Sequence, residues 1–190
     1  MKVLVIQNGG SVPKQLIALL PLSTVVTYPL SSELDDINPN DFDVVLLSGS
    51  SQFPIFYSKT RIEPEIKLIL RCQAPLLGIC YGCELLAYAY GSQLEDVGEE
   101  NKFKGIFEIT STENSIFIPP QTLSVYEAHR WFITKLADVL ISEAVSERGP
   151  EIIRHQTLPQ VGFQFHPEKF VYSTDGNELF RAWWNKFVVP

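Results

Sequence analysis

The sequence predicts an α/β fold: an open, mostly parallel β-sheet with helices on both faces and an additional small antiparallel portion. The first half alternates short apolar runs, rich in β-branched residues, with segments of helical spacing, which is typical of a parallel sheet covered by crossover helices. The second half places short apolar runs in succession with only turns between them, which favours antiparallel pairing. Because no repeat, low-complexity tract or linker is visible, we expect one domain over residues 1–190.

The strands of the first half are predicted from continuous apolar runs, because a strand buried on both faces needs no polar alternation. They occupy residues 3–6, 24–28, 43–47 and 75–79. Turn-forming residues follow the first run at 8–11 (Asn-Gly-Gly-Ser) and the third at 48–51 (Ser-Gly-Ser-Ser). Apolar residues at helical spacing predict helices over 13–20, 61–72, 82–90 and 177–188. Further short strands are predicted at 103–110, 115–118, 123–126 and 159–165.

Composition excludes several classes of function. With 15 basic and 22 acidic side chains the net charge is −7, so the chain lacks the positive surface that binds nucleic-acid phosphates. Its apolar runs are far shorter than the ~20 residues of a membrane helix, and its first residues do not form a signal peptide. Three cysteines are too few for a disulfide framework, so we expect a reducing, cytoplasmic location. Residues 8–11 match no phosphate-binding loop, and no spacing indicates a cofactor or metal site.

The strongest chemical signal is Cys80, at the centre of the pentapeptide Gly-Ile-Cys-Tyr-Gly (78–82). Glycines two positions away on either side are typical of a nucleophile elbow, where a strand turns abruptly into a helix. The thiol would project from the carboxyl edge of the sheet, at a helix N-terminus that favours the thiolate. Two other interpretations stay open on these residues alone: a buried structural cysteine, and a thioredoxin-like redox pair with Cys83.

Among the three histidines, His166 has the surroundings of a catalytic base. It ends a predicted strand, a proline follows it, and the carboxylate of Glu168 can return to the imidazole. Cys80, His166 and Glu168 would then form a cysteine triad, whereas a redox pair would leave the His-Pro-Glu segment unexplained. We expect His129 to be a structural member of its loop and His155 to lie on the surface.

The sequence carries Gly-Ile-Cys-Tyr-Gly at 78–82 and Phe-His-Pro-Glu at 165–168, in that order. With these two segments it resembles the class I, triad-type glutamine amidotransferases over essentially its whole length. The resemblance implies a flavodoxin-like sheet with an added antiparallel portion, and no cofactor. It also implies that Cys80 attacks the side-chain amide of L-glutamine, that His166 transfers the thiol proton to the departing ammonia, and that Glu168 orients His166. Water would then convert the γ-glutamyl thioester to glutamate.

The resemblance also assigns oxyanion binding to the amide of Tyr81 and to an amide of the loop that contains Gly49 and Ser50. The family usually has a second glycine or Gly-Pro where this chain has Ser50 and Ser51. Because serine tolerates positive φ less well than glycine, this loop departs from the family pattern.

Two further positions of the resemblance concern the substrate. Glu84 stands where the family commonly has a glutamine that contacts the substrate, so it either alters the choice of substrate or is a solvated helix residue. The backbone amides of Arg130 and Trp131 would hold the substrate's α-carboxylate, and Arg130 is bulkier than the family's usual residue. Cys83 is expected in the core, with a reversible link to Cys80 as a second hypothesis.

Three functions compete on this sequence. The first is a glutaminase that supplies ammonia to a separate synthase subunit, of the GMP, anthranilate/aminodeoxychorismate or imidazole glycerol phosphate synthase type, because 190 residues hold no synthase domain. The second is a hydrolase of the same fold that cleaves other γ-glutamyl bonds without a partner. The third is a catalytically weak regulatory or binding module that retains the elbow.

Overall fold

The computed structural model describes residues 1–9, 13–22, 24–27, 29–30, 33–50, 59–169 and 173–189, with side chains in the second helix described from residue 62 onward. The predictions that involve Gly10, Ser11, Tyr28 and Ser51 therefore concern residues outside these ranges. No helix in the described part of the chain is long and apolar enough to cross a membrane.

Eleven strands and four α-helices make up the described structure. The strands are β1 (Lys2–Ile6), β2 (Val25–Thr27), β3 (Val44–Leu47), β4 (Leu76–Ile79), β5 (Gln93–Asp96), β6 (Phe103–Ser111), β7 (Thr122–His129), β8 (Trp131–Lys135), β9 (Leu140–Ser146), β10 (Gly149–His155) and β11 (Gln160–Phe163). The helices are α1 (Lys14–Ile17), α2 (Lys59–Arg71), α3 (Tyr81–Ala89) and α4 (Gly176–Phe187). Each of the four predicted helices is present, although α1 is much shorter than the sequence predicts.

Nine strands form one mixed sheet in the order β2-β1-β3-β4-β11-β10-β9-β6-β7. The pairs from β2 to β11 are parallel, and those from β11 to β7 are antiparallel. Strands β5 and β8 form a separate antiparallel ribbon. The predicted flavodoxin-like α/β class, with its added antiparallel portion, is confirmed.

Helices cover both faces of the parallel half, as predicted. On one face, side chains of α1 and α4, including Leu16 and Trp183, join a core with strand residues such as Val5 and Ile79. On the other face, α2 and α3 contribute residues such as Leu68 to a second core. Apart from Lys2 at the start of β1, the four strands β1, β3, β4 and β11 are buried on both faces, and Gln160 in β11 is the one buried polar residue among them, which explains their apolar sequences.

The order of the strands brings three distant segments to the same edge of the sheet. Strands β3, β4 and β11 are adjacent and parallel, so their carboxyl ends point the same way. Gly49 follows β3, Cys80 follows β4, and His166 lies shortly after β11. In open α/β sheets this carboxyl edge is where ligands bind.

The strand predicted at 115–118 is wrong. These residues form a bend, and two of their backbone amides donate to side chains instead of to the carbonyls of a neighbouring strand. The Ile116 amide donates to Glu143 Oε2 at 2.8 Å, and the Ile118 amide donates to Ser115 Oγ at 3.1 Å. Because side chains accept the hydrogen bonds of those amides, the apolar spacing of this segment does not lead to a strand.

Strands β5, β8, β9 and β10 were not predicted from the sequence. β9 and β10 carry buried charges that hide their strand pattern: Glu143 in β9 is fully buried against the guanidinium of Arg154 in β10. A paired charge at a core position is read as a solvent-facing residue when only the sequence is considered.

Candidate active site

Cys80 occupies the sharp turn between β4 and α3. Its φ of 51° is the only positive value among non-glycine residues in the described ranges. The turn is held on both sides, because the Cys80 amide donates to the Phe163 carbonyl at 2.7 Å and the Cys80 carbonyl accepts from the Glu84 amide at 3.0 Å. Strain maintained by such contacts is typical of functional positions, and the geometry agrees with the predicted elbow.

The two glycines of the elbow permit a close approach of backbones. A Cβ at Gly78 would lie 2.4 Å from the Gly82 carbonyl oxygen, and a Cβ at Gly82 would lie 2.5 Å from the Leu47 carbonyl oxygen. Neither residue has positive φ. These glycines are therefore required by space, not by backbone conformation, and they let α3 begin directly against β3 and β4.

His166 is held at the end of β11 by its backbone and by a carboxylate. Its amide donates to the Tyr126 carbonyl at 2.8 Å, which ties the residue to β7. Its Nδ1 lies 2.7 Å from Glu168 Oε1. A proton on Nδ1 in this contact leaves Nε2 as the nitrogen that can accept a proton.

The side chains of Cys80 and His166 both lie next to Gly49. A Cβ at Gly49 would lie 3.6 Å from the Cys80 Cβ and 3.1 Å from the His166 Cε1. The nucleophile and the imidazole therefore flank the same small space, and glycine leaves room for the imidazole. The residues required for a Cys-His-Glu triad lie together at the carboxyl edge of the sheet.

A cleft of about 700 Å³ opens over this group. Cys80, His166, Glu168, Gly49 and Ser50 all line it, and Tyr81 is buried at the base of the elbow with its backbone amide close to the thiol. Other polar or small lining residues were not identified from the sequence; they include Lys14, Lys102, Tyr126, Ala128 and Lys169. They come from α1, from β7 and from turns; Tyr126 and Ala128 belong to the Tyr-Glu-Ala-His segment, which lies where the family has a binding loop.

Burial raises the pKa of the Cys80 thiol well above its usual range, and the charges of Glu84 and Glu168 raise it further. The backbone N–H of Tyr81 acts in the opposite direction but does not outweigh burial. Burial therefore opposes the thiolate that the helix N-terminus is expected to favour. A buried thiol that acts as a nucleophile needs a base to accept its proton, and the imidazole of His166 flanks the same space at Gly49.

Glu84 is buried, 3% exposed, and its Oε1 accepts a hydrogen bond from Gln164 Nε2 at 3.0 Å. The interpretation of Glu84 as a solvated helix residue is therefore wrong. Burial raises its pKa to about 7; the charges of His129 and His166 and the bond from Gln164 oppose this shift, whereas Asp96 adds to it. Glu84 is not among the residues that line the cleft.

We expect Glu84→Gln to stabilise the protein above pH 7. Glu84 binds its proton more tightly in the folded chain, with a pKa of about 7 against 4.5. Stability should therefore fall as pH rises from about 4.5 to about 7, by about 3 kcal/mol in total. Glutamine can still accept from Gln164 and carries no charge, so the variant should lose this pH dependence.

Urea unfolding between pH 5 and 8, in metal-free buffer, measures this effect. The exposed Glu95→Gln, in β5, is the matched control and should retain the parent's pH dependence. A Glu84→Gln variant whose stability follows pH as steeply as the parent's would contradict the assignment.

Arg130 and Trp131 lie at the corner between β7 and β8. The Arg130 guanidinium is 3.3 Å from Asp96 Oδ2 and 3.6 Å from Glu99 Oε2, and the Arg130 carbonyl accepts from the Val97 amide. Neither residue is among those lining the cleft. Binding of the α-carboxylate by their amides stays a prediction.

Cys83 and the two histidines other than His166 have structural surroundings. The Cys83 sulphur packs against β11, where a Cβ at Gly162 would lie 2.7 Å from it, and both Cys80 and Cys83 are free thiols. The prediction that His155 lies on the surface is wrong, because it is 8% exposed and its Nδ1 accepts from the amides of Thr157 and Leu158. His129 is buried at the end of β7, 4% exposed.

One buried group in the described residues has the composition of a metal site. Glu127, His129 and Glu151 each offer a ligand atom, and these atoms all lie within 4.8 Å of one another. No metal pattern was visible in the sequence because the three residues come from two strands, one of which was not predicted.

The model of the family described as glutamine amidotransferase class-I matches residues 4–186. The chain is 28% identical over 190 residues to a Methanothermobacter thermautotrophicus protein, one subunit of a glutamine-hydrolyzing GMP synthase, and 96% of each chain is covered. It is also 28% identical over 187 residues to the glutamine-hydrolyzing GMP synthase of Lactococcus lactis subsp. cremoris, of which it covers 35%.

Solved structures show the same fold. A Thermoplasma acidophilum protein described as a candidate subunit of GMP synthase superposes with a TM-score of 0.80 at 24% identity, over 97% of this chain and 92% of that one. The family model, which covers nearly the whole sequence, shows the relationship directly: the chain belongs to the class I glutamine amidotransferase family.

Proposed function

We propose that this chain is the glutaminase subunit of a two-subunit GMP synthase. It hydrolyses the side-chain amide of L-glutamine to glutamate and ammonia, and a separate synthase subunit consumes the ammonia. The observation that carries the proposal is the meeting of Cys80 and His166 at Gly49, with Glu168 Oε1 2.7 Å from His166 Nδ1. The GMP type is favoured among synthases because relatives covered along nearly their whole length are single subunits of GMP synthases.

The first half of the proposed reaction forms a thioester. His166 Nε2 accepts the proton of the Cys80 thiol as the sulphur attacks the side-chain carbonyl carbon of glutamine. The Tyr81 amide and an amide of the Gly49–Ser50 loop stabilise the negative oxygen of the tetrahedral intermediate, each donor contributing about 3 kcal/mol. The carbon–nitrogen bond then breaks, and the imidazolium returns the proton to the departing ammonia.

The second half regenerates the thiol. Water attacks the thioester while His166 Nε2 accepts a proton from it. The carbon–sulphur bond then breaks, and the imidazolium returns the proton to the sulphur, which gives glutamate and the Cys80 thiol. Throughout, Glu168 holds the imidazole and stabilises its protonated form. The buried thiol thus becomes nucleophilic only when His166 can accept its proton.

The test is ammonia release from L-glutamine by the purified chain, alone and with the synthase subunit of a two-subunit GMP synthase. We expect release that increases with the partner and supports GMP formation, and we expect Cys80→Ser to abolish it. A glutamine-analogue electrophile should label the parent at Cys80. Release that is unchanged in Cys80→Ser, or partner-free turnover of γ-glutamyl peptides with little turnover of glutamine, would contradict the proposal.

A further inference from the structure

A second polar group is buried on the opposite side of β7 from the cleft. Tyr126 and Ala128 line the cleft, and the alternation of side chains along a strand turns Glu127 and His129 to the other face. Glu151, in β10, joins them there. Glu127 is 0%, His129 4% and Glu151 1% exposed, so no solvent solvates their charges.

The imidazole of His129 is oriented as a ligand would be. Its Nδ1 lies 2.9 Å from the Trp131 carbonyl oxygen, which can only accept, so Nδ1 carries a proton. Its Nε2 faces Glu127 Oε2 at 2.8 Å. Metal-binding histidines characteristically donate the N–H of their other nitrogen to a carbonyl or carboxylate in this way.

The two carboxylates carry oxygens whose hydrogen-bonding capacity is unused. Glu151 Oε1 accepts from Ser146 Oγ at 2.7 Å, whereas Glu151 Oε2 and Glu127 Oε1 are buried without a hydrogen-bond partner in the described residues. Another buried carboxylate, Glu143, is instead paired with Arg154. Two buried carboxylates beside one imidazole are costly to hold in their charged forms, and a bound cation would lower that cost.

We propose that Glu127, His129 and Glu151 bind a divalent first-row transition-metal ion of the Zn²⁺ type. One imidazole nitrogen and carboxylate oxygens are ligands that suit such an ion, and its charge would offset both carboxylates. Zn–N and Zn–O bonds of about 2.0–2.2 Å require ligand atoms closer together than the present spread of 4.8 Å. Rotation of the side chains can supply that movement, and the unused oxygens allow bidentate coordination.

The metal would cross-link β7 to β10 behind the cleft. β7 also provides the Tyr126 carbonyl that holds the His166 amide at 2.8 Å. The site is therefore structural: it lies on the far face of β7, and the ion does not contact the substrate. Because all three ligands are buried, the ion would enter during folding and exchange slowly afterwards.

The experiment refolds the chain in the Cys80→Ser background, so that the catalytic thiol cannot bind metal. Protein unfolded with a chelator is refolded with Zn²⁺ or Co²⁺ alone and freed of excess ion by gel filtration. We expect one retained Zn²⁺ per chain, a melting temperature several degrees above that of the metal-free protein, and visible Co²⁺ absorption without a thiolate charge-transfer band.

Two isosteric variants locate the site. Glu127→Gln and Glu151→Gln should each weaken metal affinity at least tenfold and reduce the metal-dependent rise in melting temperature, while their metal-free forms stay folded because buried charge is removed. The control is Glu65→Gln, a buried carboxylate in α2 whose bond from Asn8 Nδ2 glutamine can accept. Absence of retained metal, or equal retention in all three variants, would overturn the proposal.

Discussion

Replacing His166 with alanine is expected to lower kcat/KM for glutamine hydrolysis by about 10²- to 10⁴-fold. Burial and neighbouring carboxylates raise the pKa of the Cys80 thiol, so attack by the sulphur depends on a base within reach. Without the imidazole that base is water or hydroxide. The residual rate of the variant should therefore continue to rise at pH values where the rate of the parent no longer changes.

Ammonia release measured from pH 6 to 10 tests this expectation. His155→Asn is the matched control, because the asparagine oxygen can accept the amide bonds of Thr157 and Leu158 that His155 Nδ1 now accepts. Glu168→Gln should cause a smaller loss than His166→Ala, since it weakens the orientation of the base without removing it. A His166→Ala rate within tenfold of the parent's would exclude the triad.

The elbow could be predicted from sequence because its geometry is local. The glycines lie two residues on either side of Cys80, and a Cβ at Gly78 would lie 2.4 Å from the carbonyl oxygen of Gly82, only four residues further along the chain. The meeting of Cys80 with His166 is not local. It was predicted through a resemblance, and in the structure it follows from the adjacency of β4 and β11, which pair in register from Leu76 to Ile79.

The features that were not predicted from the sequence depend on polar residues that are buried together. Glu84 is removed from solvent by contacts with the segment after β11, including Gln164, which is 80 residues away. Glu127 and Glu151 come from separate strands, and β10 itself was hidden by its charged residues. Whether a carboxylate is solvated or buried depends on partners that are distant in the chain. The spacing of apolar residues along the sequence does not indicate those partners.

Gly78→Ala is expected to destabilise the fold by about 4 kcal/mol, beyond the usual cost of overpacking. The new methyl carbon would lie 2.4 Å from the Gly82 oxygen, 2.5 Å from the Gly82 carbonyl carbon and 2.8 Å from the Cys83 amide nitrogen. All three are backbone atoms of the first turn of α3, so no side-chain rotation can relieve the contact. Either α3 moves away from β4 or the strand shifts, and both displace Cys80.

Urea unfolding followed by circular dichroism measures the loss, and Gly9→Ala is the matched control. Among the described residues, a Cβ at Gly9 would contact the Gly49 carbonyl oxygen at 3.6 Å, which is an ordinary distance. Since natural domains have about 5–15 kcal/mol of stability, the Gly78→Ala protein should unfold at much lower urea or fail to accumulate in soluble form. A midpoint equal to that of Gly9→Ala would mean that β4 and α3 do not approach as closely as the elbow requires, and the strained position of Cys80 would then need another cause.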